Sequence, residues 1–301
     1  MDGIIPLYKE RGMTSFDCVN RLRRILKTKK IGHSGTLDPS VDGVLPICIG
    51  RATKVVEYLM QSGKVYQGEL LIGKATTTED LDGEVIAAQP VTREIPPDVI
   101  RDQMTTLTGA VTQIPPMYSA VKVKGKRLYE YARAGKSVDR PVRHVMIDKF
   151  ELVSADYDQG KQEERVRFKV ACSKGTYVRT LVVELAKRFG YPGTMSWLTR
   201  LKSGGFTLDQ TLSLGNIQDA VTAGTINHYL YPLDYALRDY PAVELNADQW
   251  KAVQNGGWLK PAELSSSAAE LVLKYGHQVK ALYHFDAHHH AYQPTKMFLT
   301  N

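Results

Sequence analysis

The stretch IGHSGTLDPSVDGVLPICIG, residues 31–50, joins a polar, loop-forming half to an apolar half. Residues 44–49 predict a buried strand that ends at Gly50. In the polar half, Pro39 fixes its own φ angle and favours an extended backbone at Asp38. We therefore predict that Asp38 lies in a stiff, irregular loop next to a buried strand, a position that suits a catalytic group. The alternative is an Asp-Pro turn in which Asp38 bonds its own backbone.

Composition limits the class of protein. The chain has 301 residues, of which 43% are hydrophobic, enough for one large domain and a small one. No apolar run approaches the ~18 residues of a membrane span, and the first residues, MDGIIPLYKERG, lack the pattern of a secretory signal. Three separated cysteines, Cys18, Cys48 and Cys172, predict reduced thiols in a cytoplasmic protein. The net charge of +7 favours a polyanionic partner such as nucleic acid.

Hydrophobic periodicity predicts a mixture of helices and strands around this stretch. Thr14 and Asp17 have the spacing of a helix capping box. The predicted strands cover 4–8, 65–72 and 166–172, and the predicted helices cover 16–26, 53–60, 97–108 and 175–189. Residues 196–206 predict a basic, glycine-rich loop. Beyond residue 241, a helix and three strands predict a small β-rich domain of about 60 residues: 247–254, 271–275, 279–285 and 295–299.

Residues 114–144 are rich in basic and aromatic side chains. Three tyrosines (Tyr118, Tyr129 and Tyr131) are interleaved with Lys122, Lys124, Lys126, Arg127, Arg133, Lys136, Arg140 and Arg143. Basic groups neutralise phosphates and aromatic rings stack on unpaired bases, so this segment predicts contact with RNA or another single strand. A solvated basic surface is the plainer alternative, but it does not explain the three tyrosines.

Arg179 suggests a partner for Asp38. It lies in the first turn of the helix predicted over 175–189, where a cation opposes the helix dipole and needs compensation. A carboxylate is the simplest partner, and Asp38 would fit. A carboxylate beside an arginine can attack an electrophilic carbon or stabilise an oxocarbenium-like centre, as in glycosidic-bond chemistry.

The sequence lacks the motifs of several other common enzyme classes. Phosphate-binding loops, dinucleotide-binding fingerprints, serine-hydrolase elbows and zinc patterns are all missing. Three consecutive histidines, residues 288–290, predict a polar turn rather than a metal site, because alternate side chains of a strand point to opposite faces. The residues alone therefore indicate a nucleoside enzyme without cofactor or metal.

Several motifs together resemble one family. GHSGTLDP at 32–39, followed by GVLP at 43–46, closely resembles the signature of the TruB family of tRNA pseudouridine synthases. Further segments resemble the family in the family's order: GMTSFDCVNRLRRIL at 12–26, ATKVVEYL at 52–59, IPPMYSAVKVKGKRLYEYAR at 114–133, CSKGTYVRTL at 172–181 and LTRLKSGGF at 198–206. The resemblance is strong over about residues 3–240 and weaker beyond them.

The resemblance implies an α+β fold, with a mixed, mostly antiparallel sheet of the pseudouridine synthase type and a small, PUA-like C-terminal domain. It implies a catalytic domain over 1–238, an RNA-clamping arm over about 118–143 and an RNA-binding domain over 239–301. The expected reaction isomerises uridine 55 in the T-loop of tRNA, after the base has flipped out of its stack. We expect a cytoplasmic monomer whose partner is tRNA, without metal or cofactor.

The resemblance also assigns roles to residues. Asp38 is the expected catalytic aspartate, and whether it attacks the sugar or the base stays open. The expected substrate-binding residues are Tyr66, which stacks on the uracil; Tyr177 and Arg179 of the Gly-Thr-Tyr-x-Arg motif, with the arginine bridging to the aspartate; Leu198 at the base pocket; His33, which holds flipped-out nucleotides; and Lys54, a basic residue near the site.

Two positions depart from the family pattern. Thr77 stands where the family has the first Asp of a Thr-Asp-Thr run, and Glu10 stands where it has a proline after lysine. Both bear on local RNA contacts or loop stiffness. Two other functions remain open: a protein that binds or folds the T-arm of tRNA without turnover, and a hydrolase that releases the base. A pure binder has no need of Asp38 beside Arg179, and a hydrolase would need a positioned water and usually a second acid or base.

Overall fold

The computed structural model of the protein describes residues 1–298. Up to residue 222 its elements are β1 (Gly3–Lys9), α1 (Ser15–Ile25), β2 (Ile31–His33), β3 (Asp42–Ile49), α2 (Val56–Gln61), β4 (Lys64–Ile72), β5 (Lys74–Thr76), β6 (Val85–Ala88), α3 (Pro97–Thr106), β7 (Gly109–Gln113), β8 (Lys122–Val123), β9 (Lys126–Arg127), α4 (Leu128–Arg133), β10 (Arg143–Asp158), β11 (Glu163–Cys172), α5 (Val178–Arg188), β12 (Gly193–Ser203), β13 (Phe206–Thr207) and α6 (Leu214–Thr222). They are followed by β14 (Ala242–Glu244), α7 (Ala247–Val253), β15 (Glu270–Tyr275), β16 (Gln278–Asp286) and β17 (Ala291–Met297). Short 3-10 helices cover Gly50–Val55, Leu208–Gln210, Ile226–Tyr229, Leu233–Leu237 and Pro261–Glu263.

A nine-stranded sheet is the frame of the larger part of the chain. Its order is β1-β3-β12-β4-β11-β10-β7, with β2 paired to β3 and β13 paired to β12. The pair of β12 with β3 is parallel and the others are antiparallel. The expected α+β fold with a mixed, mostly antiparallel sheet is therefore confirmed. The register of β4 with β12 places Tyr66 opposite Arg200 and Gly68 opposite Leu198.

Two apolar clusters hold helices against this sheet. Helix α1 begins with the predicted capping box, in which Thr14 Oγ1 accepts from the Asp17 amide at 3.0 Å. One cluster packs α1 and α6 on β1 and β3 and includes Ile31. The other packs α3 and α5 on the central strands and includes Leu37 and Val41. Loop 34–41 therefore follows a strand of the first cluster and is anchored in the second by Leu37 and Val41.

A separate four-stranded sheet forms the C-terminal part, in the order β14-β15-β16-β17. Its own core surrounds Tyr283. A second cluster joins it to the rest of the chain, where Leu282 and Phe298 pack with Leu59. The predicted small β-rich unit is confirmed as a separate sheet, while a domain boundary at residue 238 stays a prediction. Within residues 1–298, no helix has both the length and the apolar character needed to cross a membrane.

Several elements differ from the sequence prediction. Residues 196–206, predicted as a loop, lie mostly in β12, and the turn is confined to Gly204 and Gly205, whose φ angles are +63° and +85°. Strand β10 was not predicted, because many of its residues are exposed and two bulges interrupt its alternation. Helix α5 begins at Val178 rather than at residue 175. The last strand covers 291–297 rather than 295–299, and residues 299–301 lie outside the described part of the chain.

Candidate active site

Loop 34–41 carries Asp38 and is fastened by hydrogen bonds to the elements below it. Ser15 Oγ, at the start of α1, accepts from the Leu37 amide at 2.9 Å. Lys9 Nζ, at the end of β1, donates to the Val41 carbonyl at 2.6 Å. The predicted irregular loop beside a buried strand is confirmed. The backbone also forms a turn, in which the Val41 amide donates to the Asp38 carbonyl at 3.1 Å, but the Asp38 carboxylate points elsewhere.

The buried guanidinium of Arg179 is the partner of that carboxylate. Nη2 lies 3.0 Å from Asp38 Oδ2, which confirms the predicted ion pair. Nη1 lies 3.4 Å from Asp80 Oδ2, a second partner that was not predicted. The guanidinium also donates to the carbonyls of Thr78 at 2.7 Å and Tyr118 at 2.9 Å. Burial raises the pKa of Asp80, and its hydrogen bond from Thr78 and the Arg179 charge oppose this shift. Besides Asp38, three fixed partners therefore orient this arginine.

A cavity of about 360 Å³ opens beside Asp38. Tyr66, Tyr177, Arg179 and Leu198 line it, so four of the six expected substrate-binding residues come together. Tyr66 on β4 and Leu198 on β12 are buried. Burial raises the pKa of Tyr66 and of Tyr177, so their phenols stay protonated at neutral pH. Apolar and aromatic walls with a few polar groups suit a planar base.

A second cavity, of about 740 Å³, reaches Asp38 from the side of the basic segment. His33, Phe16 and Tyr129 are among its lining residues. The guanidinium carbons of Arg127 and Arg133 lie 5.8 and 5.3 Å from the centre of the Tyr129 ring. Burial lowers the pKa of His33, and the Gly35 backbone opposes this only in part, so the imidazole is neutral at pH 7. Such aromatic and basic walls fit unpaired nucleotides.

Lys54 does not join the other predicted residues. It belongs to the 3-10 helix Gly50–Val55, and its Nζ donates to the carbonyls of Met297 at 3.0 Å and Phe298 at 3.1 Å. Among the described residues that line the two cavities, Lys54 is not included. Its ammonium instead ties the large sheet region to the last strand.

Two buried cations that line the smaller cavity were missed by the sequence analysis. Lys64 and Arg200 are 8% and 1% exposed. Lys64 Nζ donates to the carbonyls of Met60 and Ser62 at 3.0 and 2.8 Å, and burial, aided by the Arg200 charge, lowers its pKa to about 8. Lys64 could have been found, because residues two apart on a strand share a face and Lys64 precedes Tyr66 by two. Arg200 could not, because it was placed in a loop.

Of the two departures from the family pattern, Thr77 lies in a turn and Glu10 lies directly after β1. The Thr77 amide donates to the Glu84 carbonyl at 2.9 Å, and Thr77 Oγ1 accepts from the Glu84 amide at 3.2 Å. The Glu10 side chain is exposed. Within residues 1–298, neither residue lines one of the two cavities. Thr77 therefore closes a turn close to the Arg179 partners without reaching the site.

The consecutive histidines form the predicted turn between β16 and β17. The amides of His288 and His289 donate to Asp286 Oδ1 at 2.8 and 3.3 Å. In the described part of the chain, no group of three or more His, Cys, Asp or Glu side chains is arranged to hold a metal ion.

A family model and two full-length relatives indicate the family of this chain. Residues 23–178 match the family model "TruB family pseudouridylate synthase (N terminal domain)". A protein of Limosilactobacillus reuteri named tRNA pseudouridine synthase B is 68% identical over 301 residues, which cover 100% of both chains. A protein of the same name from Levilactobacillus brevis is 55% identical over 303 residues, again with 100% of both chains covered.

Solved structures share the fold at lower identity. A chain of a Cbf5-Nop10-Gar1 complex has a TM-score of 0.73 and 24% identity, with 99% of this chain and 85% of that chain covered. A chain of an H/ACA RNP bound to a substrate RNA containing 2′-deoxyuridine has a TM-score of 0.72 and 22% identity, with the same shares covered. The matched segment and the full-length relatives together show that this chain belongs to the TruB family of pseudouridylate synthases.

Proposed function

We propose that the chain is a tRNA pseudouridine synthase that isomerises uridine 55 in the T-loop of tRNA, with Asp38 as the catalytic group. The observation that carries the proposal is the ion pair of Asp38 with buried Arg179, at the wall of a cavity lined by Tyr66 and Leu198. The relative named tRNA pseudouridine synthase B, 68% identical over its whole length, supports the reaction and the class of RNA. The resemblance of residues 32–39 to the family signature supports position 55.

The cavity suits a uridine that has left its stack. Flipping a nucleotide costs a few kcal/mol, and stacking of the uracil on Tyr66 offsets about 1–3 kcal/mol of that cost. Asp38 attacks either the sugar or the base, and the bond between C1′ and N1 breaks. The base turns within the cavity, C5 bonds to C1′, and the aspartate is released. The C5 proton is lost to solvent and N1 gains one, so the product is an isomer of the substrate.

The basic segment supports binding of tRNA outside the cavity. All eight of its basic residues named above are exposed, and Arg127 and Arg133 reach the wall of the second cavity. Contacts of such side chains with phosphates supply affinity, and loop shape supplies selectivity. Neutral His33 in the same cavity is suited to contacts with nucleotides next to the target.

Mapping the product in the RNA tests this function. The protein is incubated with an unmodified tRNA transcript, and pseudouridine is located by carbodiimide modification and primer extension. We expect one new stop, one nucleotide 3′ of position 55, and none in a transcript with cytidine at that position. A product at a different uridine would contradict the proposed position. An abasic nucleotide would indicate the hydrolase, and tight binding without any product would indicate an RNA-binding protein.

A further inference from the structure

Arg200 is a buried cation that has no carboxylate partner in the described part of the chain. The side chain lies on β12 and is 1% exposed. Nε donates to the Val44 carbonyl at 2.8 Å, and the two terminal nitrogens lie 3.5 and 3.4 Å from the carbonyls of Thr36 and Gly35. Within residues 1–298 it forms no ion pair with an acidic side chain. An arginine keeps its charge inside proteins, so the positive charge at this position is permanent.

Stability alone does not explain an arginine at this position. Removing a charge from water costs several kcal/mol, and well-packed apolar residues of similar volume are often at least as stable as a buried ion. Arg179, by contrast, is balanced by Asp38 and Asp80. A buried charge that the protein leaves without a counter-ion is suited to act on charge that a substrate brings or develops.

The charge of Arg200 acts on the cavity where the base is expected. Arg200 lines that cavity together with Tyr66 and Asp38, and it stands opposite Tyr66 in the register of β12 with β4. Its field is felt by the neighbouring groups. It adds to the effect of burial in lowering the pKa of Lys64, and it opposes the effect of burial on the pKa of Tyr66.

The proposed reaction moves one negative charge from Asp38 to the base. If the carboxylate attacks C1′, an ester forms there, the bond between C1′ and N1 breaks, and its electron pair leaves on N1 as a uracil anion. If the carboxylate adds to C6 of the base, an ester forms at C6, and the electron pair of the C5–C6 double bond moves through C4 onto O4. In both routes a neutral ester replaces the carboxylate and the base becomes the anion. The same charge returns to Asp38 when C5 bonds to C1′ and displaces the carboxylate from it, or, in the second route, when the ester at C6 is cleaved after C5 has joined C1′.

Two arginines near the two ends of this charge transfer have opposite effects on the rate. Arg179 stabilises the starting carboxylate, whereas a cation beside the base stabilises the state after transfer, which is the difference that lowers a barrier. We propose that Arg200 is a further catalytic residue, a buried cation at the cavity wall that stabilises negative charge on the uracil while it is detached or activated. This inference rests on the proposed isomerisation.

The test compares Arg200→Met, Arg200→Lys and a matched control, Lys202→Met, which removes an exposed cation from the same strand. Each is given tRNA transcripts made with uridine or with 5-fluorouridine, and single-turnover loss of the target nucleoside is followed by chromatography after digestion. Fluorine itself stabilises negative charge on the base, so the protein's cation matters less. We expect Arg200→Met to lower the single-turnover rate on the uridine transcript about 10²-fold relative to the wild type. On the 5-fluorouridine transcript, the loss of rate should be at least about 10-fold smaller. Arg200→Lys should recover part of the rate, and tRNA dissociation constants should change less than about threefold.

Arg200 also binds three carbonyls around loop 34–41, and the two bases separate that role from the catalytic one. A displaced loop would lower the rate on both transcripts by the same factor, and an equal loss of rate on both would overturn the proposal. Weaker tRNA binding at an unchanged single-turnover rate would overturn it as well. If Arg200→Met does not fold, the same ratio measured for Arg200→Lys, whose ammonium is shorter and displaced, decides the question. A wild-type protein that forms no pseudouridine would instead overturn the proposed function on which the inference rests.

Discussion

At the scale of single residues, the cations around the cavity differ in what balances them. Arg179 faces two carboxylates, whereas Lys64 and Arg200 are bound to carbonyl oxygens. Asp38 is therefore not the only charged group of the cavity, and the site as a whole favours an anion. Lys64 is the member of this group whose charge changes near neutral pH, because burial lowers its pKa to about 8.

The pH dependence of the free energy of unfolding should reveal the buried amine of Lys64. Between pH 8 and 10.5 the unfolded chain keeps the Lys64 proton and the folded chain has lost it, so the free energy of unfolding rises with pH in that window. Relative to Lys64→Met, the wild-type value should rise by about 3 kcal/mol from below pH 8 to above pH 10.5. Urea unfolding across this range measures it. For exposed Lys202→Met we expect a flat difference, and a flat difference for Lys64→Met would show that its amine is not perturbed.

At the scale of elements, the contact of β4 with β12 shapes the base pocket. Gly68 on β4 stands opposite Leu198, and a Cβ added there would lie 2.7 Å from Leu198 Cδ1, 2.7 Å from Phe168 Cζ and 2.9 Å from the Trp197 carbonyl oxygen. Glycine is therefore required by close approach, since one of these atoms is backbone and cannot move away cheaply.

Gly68→Ala should overpack this contact. We expect a loss of about 1–3 kcal/mol in the free energy of unfolding, and a slower reaction because Leu198 is pushed toward the cavity. Denaturant unfolding and single-turnover kinetics measure the two effects. Gly215→Ala in α6 is the matched control, because its new Cβ would meet only Ser213 Oγ at 3.6 Å. Equal stability of the two variants would contradict the close packing described for β4 and β12.

Local pattern and strand register explain what could be predicted at this scale. The capping box of α1 and the strand after loop 34–41 follow from neighbouring residues, and both were predicted correctly. The ion pair of Asp38 with Arg179 was predictable because a cation at a helix start needs compensation. The position of Arg200 beside Tyr66 depends on the pairing of two strands that are more than 120 residues apart in the chain. No local sequence pattern contains this pairing. Taking β12 for a loop removed the only means of finding it.

At the scale of the whole molecule, the basic segment lies beside the second cavity. The basic segment contributes Arg127, Tyr129 and Arg133 to the wall of this cavity, and loop 34–41 contributes Asp38. Lys122, Lys124 and Lys126 are exposed on its short hairpin of β8 and β9, and within residues 1–298 none of them forms an ion pair with an acidic side chain. We propose that these lysines contact the phosphates of RNA bound beside this cavity.

Replacing these three lysines by glutamine should weaken tRNA binding in a salt-dependent way. Each lost phosphate contact lowers the slope of log K against log salt by about 0.7–0.9, so the slope should fall by about 2 to 3. Binding titrations at several salt concentrations measure it. Glutamine at Lys149, Lys161 and Lys251, three exposed lysines in surface ion pairs, changes the net charge equally and serves as the control. Equal slopes for the two triple variants would mean that the segment does not contact phosphates.

Release of tritium from C5 of uridine tests the central claim most directly. An unmodified tRNA transcript labelled at that position is given to the wild-type protein and to Asp38→Asn, and tRNA binding by each is measured in parallel. If Asp38 is the catalytic group, the wild type releases the label and the variant does not, although both bind the transcript with similar affinity. Release by Asp38→Asn at the wild-type rate, or tight binding by both proteins with release by neither, would contradict it.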